Sequence, residues 1–214
     1  MITTLPTMRR FTPTCYRIQV MPRANLTTAV ILAAAADIAD DAGYDVITIS
    51  TIARRFGVQP ASLYSHVRDV AAVKDGLHEL ALGELADRVA VAIAGRATTD
   101  ALRGFADAHR RYAADRPGCW TSVQRPASES TVNSDAAARL SAQLLAVVSG
   151  YDLPTSEHVH AARFVGATVN GYLTLNRVGA FDHRTPNPDA YWTRTISAID
   201  TALSAWPTEE TENP

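Results

Sequence analysis

Between Val46 and Arg68 the chain carries a pattern that restricts its fold more than any other segment. Thr48 and Ser50 can each accept an orphan amide at a helix start, and Ile52, Ala53 and Phe56 then recur at helical spacing up to Gly57. Pro60 opens a second short helix, expected to reach His66, at a first-turn position where its missing N–H costs little. Two short helices around a glycine turn are the arrangement of a helix-turn-helix. In that unit the small Ala53 permits close approach, Gly57 takes the positive-φ turn, and Val58, Leu63 and Val67 fill the space beneath. Spacing alone does not separate this unit from two short helices in an ordinary all-α core.

Charge adds a second property. No acidic residue lies between Val46 and Arg68, whereas Arg54, Arg55 and Arg68 give +3 and His66 can add to it. The whole chain hides this, because its formal charge is −2 and its pI is near 6.3. Residues 1–70 hold seven Arg and five Asp, for +2, and residues 71–214 hold 13 basic and 17 acidic groups, for −4, which together make the −2. A weakly basic head on an acidic body suits a chain in which only the head meets nucleic acid.

The stretch from Leu26 to about Leu77, with TISTIARRFGVQPASLYSHVRD at its centre, resembles the DNA-binding domain of TetR-family transcriptional regulators. Gly57, Val58, Leu63, Tyr64, His66 and Val67 match that family's G-V-x-x-x-x-L-Y-x-H-[FV] recognition pattern, and a Thr opens the preceding helix as it does here. The resemblance implies that Gln59, Pro60, Ala61 and Ser62 face the major groove of a double-stranded operator, with Thr48, Tyr64 and His66 on phosphates. Arg54 is expected to add a phosphate contact. Many relatives carry a lysine four residues after the His; Val70 stands there in this chain, so Arg68 or Lys74 is expected to replace it. Pro60 and Ala61 offer no side-chain hydrogen bonds, which leaves direct readout to Gln59 and Ser62, aided by thymine methyls and DNA shape. Two structural alternatives stand beside these roles: Tyr64 as a core aromatic and His66 as a helix cap.

Alanine supplies 37 of 214 residues and aromatics only 7%, which favours helix over sheet. The expected fold is therefore all-α. It comprises an N-terminal three-helix helix-turn-helix DNA-binding domain over 23–70 and a helical-bundle ligand-binding and dimerisation domain over 71–207. Residues 1–22, with three prolines, are expected to form a mobile N-terminal arm, and 208–214 an acidic tail. Apolar periodicity places a first helix over Leu26–Ala42 and a long connecting helix from Val70 to about Gly95. Further helices are expected over Ala101–Arg116, Asp135–Ser149, Ser156–Val178 and Asp189–Trp206. The breaks between them fall at 116–118, 128–134, 150–154 and 186–188. RPGCW at 116–120 and RFVGATVNGYLTLNRVGAF at 163–181 resemble the C-terminal domains of the TetR subgroup called WHG, with Asn170-Gly171 where that subgroup carries His-Gly.

The resemblance also implies a two-fold homodimer. Its seam is expected on Thr168, Tyr172 and Leu175 of one helix and on Trp192, Ile196, Ile199 and Leu203 of the last, stripes set by three- and four-residue spacing. Phe105, His109, Tyr112, Trp120, Phe164 and Asn170 are the candidates for lining a pocket in the bundle. They suit an apolar or mildly polar small-molecule effector of unknown identity.

Other classes find little support. Cys15 and Cys119 are far apart and lie in no CxxC or Cys/His spacing, which argues against a disulfide framework or a structural zinc site and fits a reducing cytoplasm. The apolar run Ala29–Ala36 is far short of a spanning helix, so no membrane partner is expected. Glu157, His158 and His160 diverge around a helix, and no phosphate loop, GxSxG or second zincin histidine appears. Neither enzyme activity nor a metal or cofactor is expected. The sequence reads as a one-component transcriptional regulator, most simply a repressor. The alternative from another class is a helical adaptor that keeps the helix-turn-helix as a packing unit without binding DNA.

Overall fold

The computed structural model describes residues 26–183, 185 and 188–207; the expected N-terminal arm, the acidic tail and residues 186–187 of the proline loop lie outside them. Within the described residues the chain is helical and contains no strand. Helix α1 (Thr28–Ala42) starts where the Thr27 hydroxyl accepts the Val30 N–H and stops at Gly43, whose φ of 99° few other residues adopt. A 3-10 turn (Tyr44–Val46) leads to α2 (Ile49–Phe56), and a second one (Pro60–Leu63) follows Gly57. Asp69 then caps α3 (Val70–Ile93) by accepting the Ala72 N–H at 2.8 Å. The body continues as α4 (Thr98–Asp115), α5 (Pro117–Val123), α6 (Glu129–Val132), α7 (Asp135–Val148), α8 (His158–Arg177) and α9 (Pro188–Ser204). No helix among the described residues is long and apolar enough to cross a membrane.

Two local expectations need correction. The second helix of the helix-turn-helix is a single 3-10 turn over Pro60–Leu63, not a helix to His66. Its bonds run three residues back, from Ser62 N–H to Gln59 O and from His66 N–H to Leu63 O, while the Ser65 hydroxyl donates to Ser62 O and competes with helical bonding. The break expected at 116–118 is present but narrower: α4 ends at Asp115, Arg116 alone lies outside a helix, and Pro117 already sits in the first turn of α5, where no N–H is needed. Ser128 likewise caps the short α6 inside the segment expected to be a loop.

Helix α3 is the axis of the molecule, with α1, α4, α5 and α7 packed around it. One continuous apolar cluster joins head and body, running from Ile31 and Leu63 through Leu77, Leu85 and Trp120 to Val165 and Ile199, all nearly or fully buried. Gly118 lies flush against α1: a Cβ there would stand 2.0 Å from the carbonyl carbon of Ala39 and 2.4 Å from the Asp40 nitrogen. That closeness permits hydrogen bonds between the elements. Asp40 Oδ1 accepts the N–H groups of Gly118 at 2.7 Å and Cys119 at 3.1 Å. Arg116 pairs with Asp40 at 3.0 Å and with Glu84 of α3 at 3.4 Å, and the Tyr112 hydroxyl donates to Glu84 at 3.0 Å. Burial, with the Asp40 carboxylate nearby, pushes the Cys119 thiol up to about 11, so it stays protonated and inert near neutrality.

Candidate nucleic-acid interface

The helix-turn-helix is closed at both ends of α2. Thr48 accepts the Thr51 N–H at 3.0 Å while Thr51 Oγ1 accepts the Thr48 N–H at 2.9 Å, a reciprocal cap that commits the Thr48 side chain first to the helix. At the other end Gly57 is left-handed (φ 65°, ψ 30°), and the Val58 N–H reaches back to Ala53 O at 3.0 Å. Ile52, Ala53, Leu63 and Val67 are buried beneath the turn. With those positions facing inward, Arg54, Gln59, Pro60, Ala61, Ser62, Tyr64 and His66 are left exposed on the surface of the unit. Tyr64 is 56% exposed and is therefore no core aromatic. The His66 ring is exposed too, while its carbonyl accepts the Thr28 hydroxyl at 2.9 Å, tying the start of α1 to the turn.

The arginines of this segment divide. Arg55 turns back onto α1, 3.5 Å from Asp37 and 3.8 Å from Asp41. Arg68 pairs with Asp69 at 2.9 Å, and the carboxyl of Asp69 is held below its usual range by the Ala72 N–H and by Arg68. Lys74 is set over the Tyr44 ring, 4.8 Å from its centroid. Arg54 is exposed and has no ion pair among the described residues, whereas Arg55 and Arg68 each have one. The acid-free stretch thus carries less outward charge than its composition implies, because α1 and Asp69 supply carboxylates to two of its three arginines.

Four of the pocket candidates form one buried cluster where α4 meets α5. The Phe105 and His109 rings stand 4.2 Å apart, the His109 and Trp120 rings are nearly perpendicular at 6.2 Å, and Tyr112 packs fully buried beside Glu84. His109 Nδ1 donates to Phe105 O at 2.9 Å, and burial lowers its pKa to about 4, so it is neutral at physiological pH. Phe164 and Asn170 lie elsewhere. The inward stripe of α8 is Ala161, Val165, Val169 and Tyr172, which leaves Phe164 37% exposed against Trp206 and corrects its expected inward setting. Asn170 is half-buried and accepts Gln124 Nε2 at 3.3 Å, linking α8 to the end of α5.

The expected dimer seam divides in the same way. Trp192, Ile196, Ile199 and Leu203 are buried in the chain's own core, where the Trp192 indole donates to Asp107 at 2.8 Å. Tyr172 is also buried, 4.8 Å from the Trp192 ring. These five are corrected from surface to core, because α9 must cover its apolar stripe against α4 and α8 before any partner is available. Leu175, Phe164 and Tyr191 are exposed, and Thr168 is half-buried. A groove of about 400 Å³ runs past Phe164, Thr168, Tyr191 and Arg194 between α8 and α9.

Sequence reasoning missed the α1–α5 contact and the Thr28 bond. The Pro117-Gly118 pair was the available sign of close approach, and Asp40 was hidden among the other acids of α1.

Residues 31–68 match the family described as bacterial regulatory proteins, tetR family, and residues 102–199 match the tetracyclin repressor-like, C-terminal domain. The chain is 28% identical over 163 residues to the uncharacterized HTH-type transcriptional regulator YobS of Bacillus subtilis, spanning 75% of this chain and 84% of that protein. It is 29% identical over 161 residues to the uncharacterized HTH-type transcriptional regulator Rv0681 of Mycobacterium tuberculosis, 74% of each. Among solved structures, a protein of unknown function from Rhodococcus sp. RHA1 shares the fold at a TM-score of 0.71 and 21% identity, over 85% of this chain and 97% of that one. BioQ in complex with its natural double-stranded DNA operator aligns at 0.63 and 20% identity, over 84% and 99%. A TetR variant from Acinetobacter baumannii AYE in complex with minocycline aligns at 0.64 and 20%, over 86% and 99%. With the N-terminal family match on the helix-turn-helix and the C-terminal one on the helical body, the chain belongs to the TetR family of bacterial transcriptional regulators.

Proposed function

We propose that this regulator is a repressor that holds a palindromic operator as a homodimer and releases it when a small effector binds its helical body. The observation that carries this reading is the outward face of the helix-turn-helix. Arg54, Gln59, Pro60, Ala61, Ser62, Tyr64 and His66 are exposed with no structural task for their side chains, while Leu63 and Val67 hold the turn from below. Gln59 to Ser62 would meet base edges; Arg54, Tyr64 and His66 would meet phosphates, with Thr48, Arg68 and Lys74 at the margins of the contact. One uncompensated arginine per head makes a single head weak, and two heads on paired half-sites supply the missing affinity through effective concentration. BioQ, of the same fold, is solved on its operator, which supports this use of the scaffold.

The head is assigned to residues 23–70 and the body to 71–207. The dimer would form on the outer surface of α8 and α9, through Thr168 and Leu175 joined by Phe164 and Tyr191, with the buried Tyr172, Trp192, Ile196, Ile199 and Leu203 as its backing. An effector that parts the Phe105, His109, Tyr112 and Trp120 cluster would displace α5, and α5 is bonded to α1 through Asp40. Operator affinity then falls by the difference in the effector's affinity for the two arrangements. The solved neighbour that holds minocycline supports a small-molecule effector as a class. A gel shift with duplex DNA from upstream of the protein's own gene tests the reading: the wild-type chain shifts the fragment and Tyr64→Ala does not. No shift by the wild type on any such fragment would favour the adaptor alternative.

A further inference from the structure

On the outside of the α3–α4 crossing lies a groove of about 600 Å³, within the range of small-molecule sites and away from the buried Phe105–His109–Trp120 cluster. Its apolar part is formed by Val91, Ala92 and Ala108, and Val91 is 81% exposed with no described side chain covering it. The crossing is close at this end, because a Cβ on Gly104 would stand 2.4 Å from Ala92 O; the groove lies over touching backbones that cannot sink further together.

The charges along it are unequal in their commitments. Arg88 is held by Asp115 at 2.8 Å and lies over the Tyr112 ring, and Asp87 is taken by Arg139 at 2.9 Å. Both acids of the groove are thereby neutralised. Arg96 and Arg111 are exposed, line the groove and have no ion pair among the described residues. Two free guanidinium groups beside an apolar floor suit one chemistry, a compact anion joined to an apolar tail, since a guanidinium binds a carboxylate through two parallel hydrogen bonds.

We propose that this groove is a binding site for a small organic anion with an apolar tail, its carboxylate or equivalent head on Arg96 and Arg111 and its tail on Val91, Ala92 and Ala108. The assignment does not rest on operator binding, so it is tested without DNA. Calorimetric titration of the full chain with octanoate should give saturable binding. Octyltrimethylammonium, which carries the same tail and the opposite charge, should not bind, and octanol should bind far more weakly. The Arg96→Gln/Arg111→Gln double variant should lose at least about tenfold in octanoate affinity. Val91→Asn, which removes apolar surface without adding charge, should weaken binding from the apolar side, and Arg103→Gln, an exposed arginine of α4 outside the groove, should leave it unchanged. Unchanged circular dichroism and melting of the variants keep the comparison clean. Absence of saturable octanoate binding by the wild type, equal affinity in the double variant, or equal uptake of the cationic analogue would each overturn the assignment, and none of these would bear on the helix-turn-helix.

Discussion

Asp40, in the last turns of α1, accepts the backbone N–H of Gly118 at 2.7 Å, so a side chain of the reading head caps the N-terminus of a helix in the body. The same carboxylate takes the Cys119 N–H and pairs with Arg116, which in turn reaches Glu84 on α3. Head, connector and body meet at one junction, and α5 cannot shift without moving α1 or breaking these bonds. Asp40→Ala leaves two amides without their acceptor and takes from the half-buried Arg116 guanidinium its nearest carboxylate, leaving it Glu84. It should cost about 2–4 kcal/mol in urea unfolding, and Asp40→Asn, which keeps an acceptor oxygen, should recover part of the loss.

Gly118 itself permits that junction. A methyl group there would meet the α1 backbone at 2.0–2.4 Å, where no flexible side chain can give way. Gly118→Ala should therefore destabilise the chain by several kcal/mol, in the range of about 3 or more for a severe overpacking. Gly171, in mid-α8, is open: a methyl group added there would meet nothing within 4 Å, and Gly171→Ala should be neutral or stabilising by up to about 1 kcal/mol. Thermal melts of the two variants side by side check both statements.

Much of this arrangement was legible in short stretches of sequence. Ala53, Gly57, Val58, Leu63 and Val67 report on contacts within one short stretch of chain, so their spacing was enough to place the glycine turn and its buried side, while charge and the family pattern were needed to read it as a helix-turn-helix. What escaped depends on distant partners. The start of α5 is capped by Asp40, 78 residues earlier, and without that carboxylate Pro117-Gly118 looks like a terminator. The direction of Arg55 is decided by Asp37 and Asp41 on another helix, which periodicity does not register. Trp192, Ile196, Ile199 and Leu203 form a stripe that suits a core and an interface equally well, because both bury apolar side chains; the covering contributed by α4 decides for the core.

His109 links stability to pH. Its folded pKa of about 4 lies below its ordinary value of 6.5 because burial disfavours the charged ring, so between these values the unfolded chain binds more protons. Its contribution is fully present above about pH 6.5 and is lost progressively as pH falls to about 4, by at most about 3 kcal/mol. His109→Phe should flatten that part of the stability curve relative to wild type, read as the difference between urea midpoints at pH 7 and pH 5. Parallel curves for the two proteins would contradict a buried neutral imidazole.

The two kinds of position on α8 and α9 predict opposite outcomes. Leu175→Glu, on the exposed face, should give a folded monomer with unchanged far-ultraviolet circular dichroism. Ile199→Glu should unfold the body, because the residue is only 1% exposed within a single chain. Sedimentation velocity of both variants decides: a Leu175→Glu protein that remains dimeric would move the seam off this surface.

The most direct test compares neighbouring arginines. Arg54 is free at the surface, whereas Arg55 is held by Asp37 and Asp41, so only the first is available to a phosphate. Fluorescence anisotropy on the duplex that the wild-type chain binds should show Arg54→Ala weakened about tenfold or more, with a shallower salt dependence, as expected for a lost phosphate contact in each of two heads. Arg55→Ala, once shown to be folded, should stay within about threefold of wild type, an effect under about 1 kcal/mol. Full affinity in Arg54→Ala, or a loss confined to Arg55→Ala, would contradict the assignment of this face to DNA.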